Sequence, residues 1–584
     1  MDGDGRRGSA ASVPRSRAVL ILALLFVVLA AGLLIASAMH AGPVVWPDSC
    51  GYISAAQVLI EQGHYALSLI QLNPYVLPDP PEFDRAPWWP PGYSVAIALA
   101  SGWRADDPAG MILGAHALDI LAQLLAAAGF GVLVYTVSRS RVAAALTAGL
   151  YLLSAPILYE IPRLQSDHLF LALLAWASVL HLRAAQRPRP ATIAGAAALW
   201  ALAALTRHAA IIAAGCAGLA TVALAWPKPD RWRRMAVGLV PTVVCWATSG
   251  GWLLRNMAVA GRVSGHYDEG ALGYASQIMT VGLAYFSGFA VIPFVANVLP
   301  WLRNAICVAG TLLLLVTLID LIRRLPSHFR ESAGEADDAF RWLLLFAGTF
   351  IPLTIFVLIF VGVKQQLNTP FGRLVAPATA TTLALLVAAG ARIEGLRPPV
   401  AMLGILIAAG GFLQATTNLL LPAAWPNLAD VRALHESAAM REAIRGQRVL
   451  LASREGIRPA TDLVTASVFV PGARTVYWVD DPQYAGVQLS AEDIEALAEM
   501  AKFDFILRGP EDRISWDTHK IRPRWLAELR SRLAGPYLRG QRREVNVLRR
   551  FIVRPELHSE PVVEVGDWTL ERVLLPRDET MPED

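Results

Sequence analysis

Apolar residues run in long unbroken blocks along most of the first 420 positions, and the blocks are long enough to cross a bilayer as helices. They predict about eleven spans, at roughly 18–39, 109–137, 141–159, 166–183, 191–206, 209–226, 235–253, 301–323, 341–363, 372–392 and 399–422. Between 270 and 300 the pattern is broken: Ile278 to Ala296 is apolar but carries glycines and Pro293, and reads as a re-entrant or surface helix. Past about residue 425 the pattern changes. Short β-rich runs at Arg448–Ala452, Thr475–Val479 and Phe503–Leu507 alternate with helical periodicity near 430–445, 491–502 and 523–533. A last pair of strands is predicted from Glu544–Val553 and Val562–Leu575. The division is thus an α-helical polytopic membrane domain over 1–424 and a soluble α/β domain over 425–584.

The basic residues orient the spans. Arg6, Arg7, Arg15 and Arg17 precede the first span. Alternate loops then carry Arg139 and Arg141, then Arg183, Arg187 and Arg189, then Lys228, Arg231, Arg233 and Arg234, then Arg323, Arg324 and Arg330. Those loops are assigned to the cytoplasm. Asp48, Arg163, Arg207, Arg255 and Arg373 then face outward with the C-terminal domain. The first span has a basic front, and Ala36-Ser37-Ala38 resembles a cleavage site, but its apolar run is too long for a signal peptide and reads as an uncleaved anchor.

With 55% hydrophobic and 17% charged residues, the chain is not a soluble globular protein throughout. A net charge of +4 with no basic domain makes nucleic acid a poor partner. Cys50, Cys216, Cys245 and Cys307 form neither a disulfide framework nor a thiolate zinc pattern.

Candidate chemistry gathers in the first outer loop, 40–108. It is long for a connection and rich in proline and aromatic residues, with amphipathic pieces at Tyr52–Ile60 and Tyr93–Leu99 suited to lying in the interface. Two readings fit Asp48: a cap for the helix that follows, or a general base at the membrane surface. Asp167, at the opening of the fourth span, reads from its position as an N-cap for that span. His116 and Asp119 lie one turn apart inside the second span and read as structural hydrogen-bonding groups or as having a functional role near a lipid tail. Glu160 and Arg163 read as a screened surface pair. His168 and His208 adjoin the motif residues without a metal-ligand pattern.

Several segments recur in an order that resembles the GT-C class of integral-membrane glycosyltransferases, in the branch of protein O-mannosyltransferases and the aminoarabinose transferase of lipid A. They are Asp48-Ser49-Cys50-Gly51-Tyr52, Pro90-Pro91-Gly92-Tyr93, Ser166-Asp167-His168, Ala203-Ala204-Leu205-Thr206-Arg207, Trp252-Leu253-Leu254-Arg255-Asn256 with Gly261 after it, and Phe371-Gly372-Arg373-Leu374-Val375-Ala376-Pro377. The resemblance covers most of residues 18–420 and not the C-terminal domain. Cys50-Gly51, and Leu374 where the family carries tyrosine, depart from its pattern.

The resemblance implies a sugar taken from a polyprenyl-phosphate carrier on the outer face and passed, with inversion, to an envelope lipid, glycan or protein acceptor. It assigns Asp48 and Asp167 to catalysis, and Arg207, Arg255, Arg373, Tyr52 and Tyr93 to substrate and phosphate binding. No metal ligand is assigned, and a divalent ion stays open as a cofactor. Snorkelling interface anchors are the other reading of the three arginines. A transporter or flippase, and a noncatalytic membrane scaffold, are the alternatives from other classes. Transporters commonly carry internal repeats, and none is evident in the sequence. The alanine- and arginine-rich composition points to a bacterial inner membrane.

Overall fold

The structure is a computed structural model that describes residues 13–45, 47–72, 89–260, 281–282, 285, 300–331, 335–365, 372–420, 428–453, 466–470, 473–478, 504–509, 559–566 and 568–573. The predicted helices near 491–502 and 523–533, the strand over 544–553 and most of 270–300 lie outside the described residues.

Helices stand at each of the eleven predicted positions. They are α1 (Val13–Ala41), α4 (Pro108–Ser138), α5 (Arg141–Leu152) with the short α6 (Ala155–Glu160), α7 (Ser166–Gln186), α8 (Pro190–Thr206), α9 (Ala209–Ala225), α10 (Arg231–Ala260), α11 (Pro300–Glu331), α12 (Glu335–Gln365), α13 (Gly372–Arg392) and α14 (Arg397–Leu420). Among the described residues seven helices are long and apolar enough to cross a membrane, while α5, α8 and α9 are shorter apolar helices. The chain is an integral membrane protein, mostly helical, with a small C-terminal sheet.

Local chemistry sets the helix ends. Asp107 accepts a hydrogen bond from the Gly110 amide at 2.9 Å, with Pro108 in the first turn of α4, and Ser140 does the same for α5 through the Ala143 amide at 3.1 Å. Between them Arg139 takes the left-handed conformation, φ 58°, and closes α4. The fourth-span motif is not capped by Asp167. Gln165 occupies the cap position of α7, and Asp167 lies inside the first turn with its carboxylate engaged elsewhere.

The first outer loop forms α2 (Pro47–Gln62), β1 (Leu69–Leu72) and α3 (Gly92–Ala100), matching the two amphipathic pieces predicted there. Beyond α15 (Leu428–Glu436) and α16 (Ala438–Ile444) come β2 (Arg448–Ser453), β3 (Arg474–Trp478), β4 (Phe505–Gly509), β5 (Ser559–Val565) and β6 (Trp568–Val573). They form one six-stranded sheet in the order β1-β3-β2-β4-β6-β5. The β1–β3, β3–β2 and β2–β4 ladders are parallel, and the β4–β6 and β6–β5 ladders are antiparallel. The single strand predicted over 562–575 is in fact most of a hairpin, holding the end of β5, the turn and all of β6. Gly566, at φ 57°, folds the run back on itself, a backbone state that glycine adopts without a steric penalty.

Two apolar cores result. One fills the helical bundle, with Phe130, Tyr151, Phe170, Trp200 and Trp342 fully buried in it. The other runs from α4 through α2 and α3 into the sheet, joining Ile112, Ile53 and Ile97 to Met440, Leu451, Leu507 and Trp568. The first outer loop is therefore a middle layer, packed on the bundle on one side and on the sheet on the other. Gln57 of α2 donates a hydrogen bond to the Val468 carbonyl at 2.9 Å and ties the two sides together.

Candidate active site

The ends of α1, α7, α8 and α13 that carry the sequence motifs meet at one end of the bundle. The chain leaving α1 is stitched to the loop before α7. The Val44 amide donates to the Pro162 carbonyl at 2.6 Å, the Leu164 amide donates to the Val44 carbonyl at 3.2 Å, and the Ser49 hydroxyl donates to the Leu164 carbonyl at 2.7 Å. These bonds start α2 directly beside the start of α7.

Asp48 lies in the first turn of α2, and its Oδ2 accepts a hydrogen bond from the Arg373 guanidinium at 2.8 Å, across 325 residues of chain. The Asp48 side chain is 35% exposed, the Arg373 side chain only 14%. Capping thus does not account for where the Asp48 carboxylate points. Arg373, at the start of α13, also feels the charges of Asp167 and Glu160.

A second acid–arginine pair lies alongside. Arg207, just past the end of α8, pairs with the Asp167 carboxylate and donates to Ser166 Oγ at 3.2 Å. Ser166 Oγ is in turn 2.9 Å from the Tyr52 hydroxyl. Burial pushes the Tyr52 phenol up to about 12 against the opposing pull of Arg207, so it is a neutral hydroxyl and not a base. Its ring packs edge-on against Tyr93, centroids 5.0 Å apart, and tilted against Trp89 at 5.1 Å. Tyr93 donates to Asp119 Oδ2 at 2.8 Å, and the Gln165 amide reaches the same oxygen at 3.3 Å. Burial, then Asp119, holds the Tyr93 phenol well above its ordinary value.

Two glycines of the motifs make these approaches possible. A Cβ on Gly51 would meet the Trp89 ring at 2.5 Å, and one on Gly92 would meet the Leu205 carbonyl oxygen at 2.7 Å. Gly92 therefore lets the start of α3 press on the last turn of α8, immediately before Arg207.

Six of the seven nominated residues, Asp48, Tyr52, Tyr93, Asp167, Arg207 and Arg373, form one cluster. Arg255 stands to the side. Its guanidinium lies 4.6 Å over the Trp252 ring and donates to the Tyr65 carbonyl at 3.4 Å, while the Tyr65 hydroxyl donates to the Trp89 carbonyl at 3.4 Å. Among the described residues the link from the cluster to Arg255 runs through Trp89 and Tyr65.

His116 and Asp119 do not serve each other. His116 Nε2 is 3.2 Å from the Ala38 carbonyl of α1, and Asp119 anchors Tyr93, which is the structural alternative. His168 is likewise used up inside the protein: Nε2 faces the Arg163 and Glu160 carbonyls at 3.1 and 3.3 Å, and Nδ1 meets the Gln123 amide. The screened-surface reading of Glu160 and Arg163 is overturned. They pair at 2.8 Å with side chains 5% and 6% exposed, on a segment bridged to Val44. Among the described residues no three His, Cys, Asp or Glu side chains converge as a metal site, and Cys50, Cys216 and Cys245 are buried and in no disulfide.

Sequence reasoning missed Ser166, which links Tyr52 to Arg207, and Trp89, which roofs Tyr52. Both sit within or beside quoted motifs, but neither bears the charge that draws attention in an apolar chain.

No protein-family model and no curated protein matches the chain. Among solved structures, it is similar to ArnT from Cupriavidus metallidurans bound to undecaprenyl phosphate, at 13% identity and a TM-score of 0.47, with 94% of this chain and 97% of that one covered. Its apo state aligns at 15% identity and a TM-score of 0.44 over the same shares. The Archaeoglobus fulgidus oligosaccharyltransferase, in a complex with Zn and sulfate, aligns at 13% identity and a TM-score of 0.45, covering 83% of this chain and 68% of that one. These proteins are GT-C membrane glycosyltransferases, the class that the motifs resemble.

Proposed function

We propose that this chain is a membrane glycosyltransferase that moves a sugar from a polyprenyl-phosphate carrier to a hydroxyl on an envelope lipid, glycan or protein, with inversion at the anomeric carbon. The observation that carries the reading is the unequal pair of acids: Asp48, with its side chain over a third exposed, sits against Arg373, while Asp167 is closed in against Arg207. An accessible carboxylate is within reach of a proton donor; an enclosed one serves to aim its arginine.

In this reading Asp48 takes the proton from the acceptor hydroxyl as its oxygen bonds to the anomeric carbon. The bond from that carbon to the phosphate oxygen breaks, and the electron pair leaves with the phosphate. Protonation neutralises Asp48 and frees N–H groups of Arg373 as charge builds on the departing phosphate. Arg207, aimed by Asp167 and Ser166, supplies the second planar fork to the phosphate oxygens. Tyr52 and Tyr93 wall the site, and Arg255 guards its edge. The alternation of basic loops supports an outward-facing site at a bacterial inner membrane, with the C-terminal sheet beside it to receive the acceptor.

The test is sugar transfer in membranes supplied with labelled polyprenyl-phosphate sugars, comparing the parent with Asp48→Asn at equal amounts of folded protein. General-base removal costs roughly 10²–10⁴-fold in turnover, with donor binding retained. Parental transfer by the variant would remove Asp48 from the chemistry, and the absence of transfer by the parent would leave a carrier-lipid transporter as the better reading.

A further inference from the structure

At the opposite end of the bundle from Asp48, α9, α11, α12 and α13 enclose a cavity of about 660 Å³. Its walls are apolar, with Leu318, Leu321, Leu325, Leu344, Ile351 and Leu385 among them. The polar pair in its depth is self-satisfied, since the Tyr285 hydroxyl and Thr382 Oγ1 stand 2.6 Å apart. Charge appears only toward the helix ends. There Lys228 pairs with Asp338 at 3.0 Å, and Arg341 lies with its guanidinium 4.7 Å over the Phe329 ring. Among the lining residues two cations stand against one acid. Arg231, Arg233 and Arg234 follow in the first turn of α10, Arg234 paired with Asp230 at 2.6 Å.

An apolar chamber with a basic rim matches an amphiphile with an anionic head. Water gains nothing from such walls, whereas an acyl chain fills them and a phosphate meets the two cations. Ile322 and Leu345, both exposed apolar residues of the lining, face outward where lipid tails lie. Gly348 adds a second observation. It belongs to the lining and is exposed, and a Cβ built on it meets nothing within 4 Å, so no protein atom fills the space beside it.

We propose that this cavity is a binding site for an anionic glycerophospholipid, with its phosphate at Lys228 and Arg341 and an acyl chain between α11 and α12. The site is separate from the Asp48 cluster and on the membrane face that carries the basic loops.

The experiment uses the intact protein reconstituted in phosphatidylcholine with phosphatidylglycerol as the minor component. It is then extracted in detergent and weighed by native mass spectrometry to count retained lipids. The parent is expected to retain phosphatidylglycerol over phosphatidylcholine by roughly tenfold relative to their bulk ratio. Combined Lys228→Gln and Arg341→Gln substitution erases that preference while lipid of either kind is still retained. Gly348→Leu fills the chamber and lowers retention of both lipids, with the unfolding temperature unchanged or raised. Retention by the parent at the bulk ratio overturns the proposal, as does a preference that survives the double substitution. If undecaprenyl phosphate displaces phosphatidylglycerol when the two are equimolar, the site belongs to the carrier, and the phospholipid assignment falls.

Discussion

Replacing Gly92 by alanine tests whether the approach of α3 to α8 holds the arginine of the candidate site in place. The added Cβ would lie 2.7 Å from the Leu205 carbonyl oxygen, 2.9 Å from its carbon and 3.0 Å from Thr206 Oγ1. Ordinary contact begins near 3.4 Å, so helix backbone must separate by about 0.7 Å, an overpacking that costs about 1–3 kcal/mol. Arg207 is the next residue, and its fork reaches Ser166 and Asp167 together. A displacement approaching 1 Å at a group that positions substrate lowers turnover by about 10²-fold. Activity should therefore fall far more than stability does.

The assay is thermal unfolding in detergent beside carrier-dependent sugar transfer, with Gly51→Ala as the comparison. Its Cβ meets the outer edge of the Trp89 ring, a side chain able to give way. That variant is expected to cost less than Gly92→Ala in both readouts. Parental unfolding temperature and turnover in Gly92→Ala would refute the idea that close packing of α3 on α8 holds Arg207, and a larger loss in Gly51→Ala would refute the ranking.

Arg163→Met strands the Glu160 carboxylate in a covered loop, and breaking such a pair costs about 3–5 kcal/mol at neutral pH. Burial holds the Glu160 carboxyl above its usual range, with Arg163 as the main opposing influence, so the folded state binds its proton more tightly than the unfolded chain does. That group's contribution to stability therefore falls as pH rises from the ordinary glutamate range through the raised folded value. Losing Arg163 widens that window. The variant should approach the parent near about pH 5 and fall furthest behind near about pH 8, and an equal deficit at both in thermal unfolding would contradict this. Arg207→Lys keeps the charge but loses the planar fork, so transfer at low carrier concentration is expected to drop roughly tenfold to a hundredfold with little change in unfolding temperature; kinetics equal to the parent's would mean that the fork is not used.

Hydrophobic blocks report directly on helices long and apolar enough to span a bilayer, and this is why the positions of α1, α4 and α7 to α14 could be read from the chain alone. The acid and arginine residues of the site were legible for the same reason, because an ionisable group flanking an apolar span stands out. Pairing across the chain was not. Nothing in Asp48 names Arg373 as its partner, and Leu69–Leu72 is too short a run to announce itself as an edge strand. The Glu160–Arg163 pair was misjudged because its segment is bridged to Val44, more than a hundred residues earlier, and spacing carries no information about such tertiary neighbours. The second strand of the final hairpin was hidden because β5 and β6 read as one continuous β-rich run, and Gly566 alone marks the reversal.

The β1–β3 ladder also sets an order of events during synthesis. Leu72 leaves the ribosome about 400 residues before Arg474, and at roughly 5–20 residues per second the strand waits about 20–80 s for its neighbour. Until then α2 has only the bundle to lean on, and the helix bearing Asp48 lacks its second wall. The membrane portion is thus assembled around an unfinished centre. Asp48 acquires its full surroundings only when the C-terminal strands have joined the sheet, so a chain stalled in translation is left without them.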